Sequence, residues 1–155
     1  MTGGSFLGEW SDVVTKYNAH FPAEATGFDS QLIPSNLYNQ NPLKTAVLQT
    51  IVMMYAYLFL LALIIYLFRL HRMSSFGILA AVIVIAVGMI TYSLGGDSKW
   101  LFPMANTLSW LHYDVILNAS KVPLWYSPVY FGVLISALLF LNRRAAQHLE
   151  IDCLE

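Results

Sequence analysis

Charge is what this chain has least of. Of its 155 residues, 11% are Asp, Glu, Lys or Arg and 57% are hydrophobic. A soluble domain carries about 25% charged residues, so the composition fits an apolar surrounding. The formal net charge of −1 gives no bulk attraction to nucleic acid, and no nucleic-acid partner is expected. The single cysteine, Cys153, excludes an internal disulfide, a CxxC redox pair and a thiolate zinc set. The N-terminus lacks a basic region followed by an apolar run and a small-residue cleavage site, so it reads as mature sequence. GxSxG, HExxH, P-loop and glycine-rich nucleotide motifs are also missing.

The scarce charges leave three runs empty. Ala46 to Phe68, Phe76 to Leu94 and Val122 to Leu141 contain no Asp, Glu, Lys or Arg. A bilayer core of about 30 Å takes roughly 20 apolar residues as a helix. Backbone groups in lipid must bond within their own segment, which dictates helices. The alternating pattern of a membrane barrel is missing. Pro123 and Pro128 predict that the third helix starts late or kinks. The expected fold class is an all-α integral membrane protein, with three transmembrane helices and two short interfacial amphipathic helices on the outer side. The expected division is an external N-terminal segment over 1–45, a membrane domain over 46–142 and a cytoplasmic tail over 143–155.

All four arginines stand at two places, Arg69 and Arg72 after the first run and Arg143 and Arg144 after the third. Three spans put both places on one side. The lysines (Lys16, Lys44, Lys99 and Lys121) fall on the other, diluted by acidic residues. The positive-inside rule then predicts an outer N-terminus and a cytoplasmic C-terminus. The stretch "RLHRMSS" between the first two runs has room only for a tight helical hairpin, with Arg69, His71 and Arg72 reaching to headgroups.

The outer segments carry weaker patterns. Phe6, Trp10, Val13, Val14 and Tyr17 recur at helical spacing opposite Glu9, Asp12 and Lys16, before Pro22. They predict a short amphipathic helix for the membrane surface or a partner subunit. Pro42 is a start signal for the first span. After the turn "GGDSKW", the steps Leu108, Leu111, Val115 and Ala119 predict an interfacial helix over 103–121, with Asn106, Tyr113, Asn118 and Lys121 on its polar side. Trp100, Trp110, Trp125 and Tyr126 read as interfacial anchors.

Chemistry concentrates in that second outer connection. His112, His20 and Asp114 form a donor set suited to a divalent transition metal. Trp110, His112 and Asp114 form a set that can line a quinone, haem or copper site. The plainer reading has His112 and Asp114 bonding to neighbouring loops or another subunit, because residues two apart do not face each other on a helix. His71 is a lesser ligand candidate, standing between two arginines. No span contains histidine, which argues against a self-contained b-type cytochrome. Without acidic or basic residues the spans also lack a proton relay of the usual kind. Gln49, Thr50 and Thr91 are their main hydrogen-bonding side chains besides serines and tyrosines, and Tyr55, Tyr57 and Tyr66 are expected to pack or bond to neighbouring helices. Gly77, Ala80, Ala81 and Gly88 give the second span a face for close approach.

The segments "IPSNLYN" and "LFPMANTLSWLHYDV" resemble, at scattered positions, the haem-handling family of cytochrome c assembly. The histidine stands at a different offset from the tryptophan, and that family's tryptophan-rich external motif is missing. No residue's role carries over, and the chain is assigned to no family or cofactor on this ground. The expected function is a small non-catalytic, accessory or structural subunit of a larger membrane complex, with the lipid bilayer and other membrane subunits as partners. The alternatives are a contributor to a quinone, haem or copper site of a redox complex, or a small transporter or channel module lined by Gln49 and Thr50.

Overall fold

The computed structural model describes residues 10, 42–94, 97–112 and 122–152. Every regular element among them is helical. Three α-helices are present: α1, Leu43–Leu70; α2, Ser74–Leu94; and α3, Tyr126–Asp152. Three short 3-10 turns, Asp97–Leu101, Ala105–Thr107 and Ser109–His112, follow α2. The stretches Leu43–Leu70, Ser74–Ser93 and Tyr126–Gln147 are each long and apolar enough to cross a membrane. The chain divides into two compact units. One joins Met1–Val52 to Leu108–Tyr126, and the other joins Met53–Thr107 to Ser127–Glu155.

In the first unit α1 begins just after Pro42, whose carbonyl accepts from the Thr45 and Ala46 amides at 3.0 and 3.2 Å. Proline suits this place because the first amides of a helix have no intrahelical acceptor. The Thr50 hydroxyl donates to the Ala46 carbonyl one turn back, at 2.9 Å. That bond hides the hydroxyl within its own helix.

The second unit holds most of the helical mass. The turn between α1 and α2 is closed from both sides. The Met73 amide donates to the Phe68 carbonyl at 2.9 Å and the Arg72 amide to the Arg69 carbonyl at 3.0 Å. This is a Schellman cap. Arg72 takes the left-handed position, with φ 59°, where glycine is usual. The Met73 carbonyl then accepts from Phe76 and Gly77, starting α2. A Cβ on Gly77 would meet Phe68 Cβ at 3.0 Å and the Ile65 carbonyl oxygen at 3.1 Å. The small residue is what lets the helices approach here. Gly88 does the same against Met104, at 3.0 Å.

Met53, Leu60 and Phe131 form the core between α1 and α3, with Tyr57, Ile64 and Leu134 packed on it. Further along, Asn142 Nδ2 donates to the Leu63 carbonyl at 3.2 Å. The two helices therefore run parallel. An apolar groove of about 360 Å³ is lined by Leu60, Ile64, Ile83, Val84, Val87, Leu134 and Leu138, and by Phe102, Pro103 and Tyr130.

Several expectations need correcting. The third helix starts late, as its prolines predict, at Tyr126 rather than Val122. Pro128 is tolerated because it sits in the first turn, where no amide is needed. α3 then runs through Arg143 and Arg144 to Asp152, past the expected end of the third run at Leu141. Tyr55 and Tyr66 are exposed, and only Tyr57 packs on the core. Its hydroxyl has no partner among the described residues. Trp100 is buried, so it is no surface anchor, whereas Trp125 is exposed. Over 103–112 the chain makes two 3-10 turns rather than an α-helix. Residues 113–121 and the N-terminal amphipathic segment lie outside the described residues.

Candidate functional site

Two polar arrangements stand in the connection between α2 and α3, each within its own unit. The first centres on Asn106. This residue belongs to the polar side of the expected helix, yet it is 1% exposed. Its Nδ2 donates to the Trp100 carbonyl at 3.1 Å and to the Phe102 carbonyl at 3.0 Å. Its Oδ1 accepts from Ser127 Oγ at 2.9 Å. Thr107 Oγ1 donates to the Met104 carbonyl at 2.7 Å. Asparagine and threonine here offer backbone carbonyls an alternative to the helical ladder, which is why the segment turns instead of coiling. Tyr130 adds a bond from its hydroxyl to the Leu101 carbonyl at 2.7 Å. The start of α3 is thus fastened to the turns after α2 by two side chains four residues or fewer into the helix. Sequence reasoning missed this role for Asn106, Ser127 and Tyr130. The available signal was a cluster of turn-forming residues around Pro103.

The second arrangement is a clip. His112 is 1% exposed. Its Nδ1 donates to the Val122 carbonyl at 3.0 Å, and the Val122 amide donates back to the His112 carbonyl at 3.3 Å. The reciprocal pair joins the two ends of segment 113–121. A carbonyl cannot donate, so Nδ1 carries the proton and Nε2 the lone pair. Burial pushes the His112 pKa below its ordinary 6.5, and the bond to Val122 works the other way. The ring is therefore held neutral.

Of the expected site residues, only His112 can be placed. Asp114 and His20 lie outside the described residues, as does the Trp110 side chain, so the metal set and the cofactor set are not assembled here. Among the described residues no group of three or more His, Cys, Asp or Glu could hold a metal ion. His71 spends its Nδ1 on the Leu67 carbonyl at 2.9 Å, capping its own helix.

A third feature lies at the far ends of the helices. Arg69, Arg72, Arg143 and Arg144 are all exposed. The guanidinium of Arg144 lies 5.5 Å from the Phe140 ring centroid. No family model, no curated protein and no solved structure matches this chain.

Proposed function

We propose that the chain is an accessory subunit of a larger membrane-protein complex, without catalysis of its own. In this reading its three helices cross the bilayer, the N-terminus lies outside and the C-terminus in the cytoplasm. One observation carries the proposal: the spans bury little of themselves in each other. The buried share is 22% for α1, 17% for α2 and 11% for α3. On α2, Ile78, Leu79, Val82, Ile83, Met89 and Ile90 are all exposed, and they lie on more than one face. Lipid supplies no hydrophobic drive between helices, so helices of this kind gain stability by packing on other subunits. The polar side chains of the outer connection serve internal bonds, which fits a structural role. Thr50 and Thr91 likewise bond to their own helices, which weighs against a polar transport path.

Purification from the native membrane in mild detergent, followed by native mass spectrometry, tests this. Other membrane proteins are expected to travel with the chain. A monodisperse, thermally robust monomer would count against the proposal. For orientation, a Ser75→Cys variant is expected to react with an impermeant reagent from the cytoplasmic side; labelling only from outside would reverse the topology.

A second reading, a contributor to a redox site, draws on His112. Its Nδ1–H is fixed on a carbonyl, the arrangement that orients a histidine for ligation through Nε2. A visible absorption spectrum and metal analysis of the purified complex discriminate. A His112→Gln complex that assembles but has lost a chromophore or metal would favour this second reading.

A further inference from the structure

One tyrosine stands where lipid cannot serve it. Tyr55 is 69% exposed on α1, and among the described residues its hydroxyl has no hydrogen-bond partner. It lies eleven residues after Lys44 and fourteen before Arg69, about 16 Å and 21 Å by helical rise. A leaflet is about 15 Å deep, half of the bilayer core. In a membrane the Tyr55 hydroxyl therefore sits at mid-depth, away from water and headgroup oxygens. A hydroxyl left unbonded in hydrocarbon is costly.

The other polar groups of the spans avoid that cost. Thr50, Thr91 and Ser93 donate to carbonyls of their own helices at 2.9 Å. Tyr130 finds the Leu101 carbonyl. A tyrosine hydroxyl stands too far out on its ring to turn back onto its own helix. We propose that the face of α1 bearing Tyr55, Phe59, Ala62 and Tyr66 docks a membrane-spanning helix of another subunit. That helix presents a hydrogen-bond acceptor at the middle of the bilayer. The inference rests on the subunit reading above and gives it a surface.

The four residues follow one another at steps of four, three and four, which keeps them on one face. Tyr55 and Tyr66, three turns apart, differ in direction by about 20°. Phe59 and Tyr66 are each 48% exposed, and Ala62 is exposed between them. The core contacts of α1 use Met53 and Leu60 instead, and Gly77 of α2 meets Ile65 and Phe68. Ala62 is small, so a second backbone can come close beside it. Tyr66 is three residues from Arg69, near enough to the headgroups to be served there, so Tyr55 is what singles out a protein partner.

Charge distinguishes that partner from a second copy. Arg69 continues the same face three residues after Tyr66 and is exposed. Two copies joined symmetrically through this face would set each residue near its own counterpart, with Arg69 against Arg69. A different helix, without a basic residue at that level, carries no such penalty.

The test uses the complex purified from native membranes through the tagged full chain. Phe59→p-benzoylphenylalanine, irradiated in the membrane, is expected to cross-link to a spanning helix of another protein. Tyr55→Phe removes only the hydroxyl. It should weaken retention of that protein about threefold, the weight of an average interhelical hydrogen bond in lipid. Tyr57→Phe, the same deletion on the side packed toward the core, should leave retention unchanged. Ala62→Phe should weaken it about tenfold by forcing the helices apart, while the isolated variant chain melts as the unsubstituted one does. Once the cross-link has located the partner's acceptor, removing that acceptor should abolish the further effect of Tyr55→Phe. Cross-links only to lipid or only to a second copy would overturn the proposal. So would equal retention in the Tyr55→Phe and Tyr57→Phe complexes. A partner that travels with the chain but is indifferent to Tyr55 and Ala62 overturns this inference alone. If no membrane protein travels with the unsubstituted chain, the subunit reading falls with it.

Discussion

Three hydrogen bonds meet at the Asn106 amide, to the Trp100 and Phe102 carbonyls and from the Ser127 hydroxyl. Replacing Asn106 by Leu leaves the Trp100 and Phe102 carbonyls and the Ser127 hydroxyl without this partner. An unsatisfied buried polar group costs about 1–3 kcal/mol. Asn106→Leu is expected to destabilise by more than 2 kcal/mol, roughly one stranded group or more on that scale. Ser127→Ala, which removes one bond, should cost about 1 kcal/mol. Thermal unfolding in detergent, followed by circular dichroism, measures both; equal losses would deny Asn106 its central place. His112 gives a pH prediction. Its folded pKa lies below the unfolded value of 6.5, so on acidification the unfolded chain takes up the proton first. The stabilisation is complete above the unfolded value and is lost as pH falls from there toward the depressed folded pKa. Melting temperature should therefore fall from pH 7 to pH 5, and His112→Gln should flatten that part of the profile. The Asn106 role is not legible in the sequence. Periodicity counts Asn106 as one polar position among several, and only the tertiary bond to Ser127, 21 residues on, makes it a buried anchor.

The glycines separate two kinds of helical position. Gly77 lies against the Phe68 Cβ and the Ile65 backbone, neither of which can swing aside. Gly77→Val should push α2 off α1 and lower the melting temperature, because overpacking costs about 1–3 kcal/mol. Gly132 has nothing within 4 Å of an added Cβ. Gly132→Ala should stabilise α3 by about 1 kcal/mol from helix propensity alone. A melt in which both variants move the same way would contradict this contrast. At this scale the sequence is informative. The uncharged runs locate α1 and α2 to within a few residues, the small-residue face of α2 is visible, and the prolines predict the late start of α3. The end of α3 is not visible, because hydropathy stops at the arginines while helix propensity does not. Ala145, Ala146 and Gln147 are good helix formers and carry the coil onward. The expected helix over 103–121 fails over its first ten residues for the opposite reason. Its apolar spacing is helical, but Asn106 and Thr107 turn backbone carbonyls away from the ladder.

Across the whole molecule, the bonds divide by how far they reach along the chain. The turn at Arg72 and Met73 is made from neighbours. The bonds Tyr130 to Leu101, Ser127 to Asn106 and Asn142 to Leu63 span 29, 21 and 79 residues. Asn142→Leu should test the longest of these. It removes a bond whose Oδ1 end has no partner among the described residues, so the expected loss is under 1 kcal/mol, less than a fully satisfied amide would give. The doubly used Met73 has a consequence for biosynthesis. Its amide completes α1 and its carbonyl begins α2, so one residue ends the first helix and starts the second. The hairpin is closed by these local bonds alone, so its turn can form before α3 is made. The third helix arrives later, and its Ser127 and Tyr130 are what secure the turns after α2.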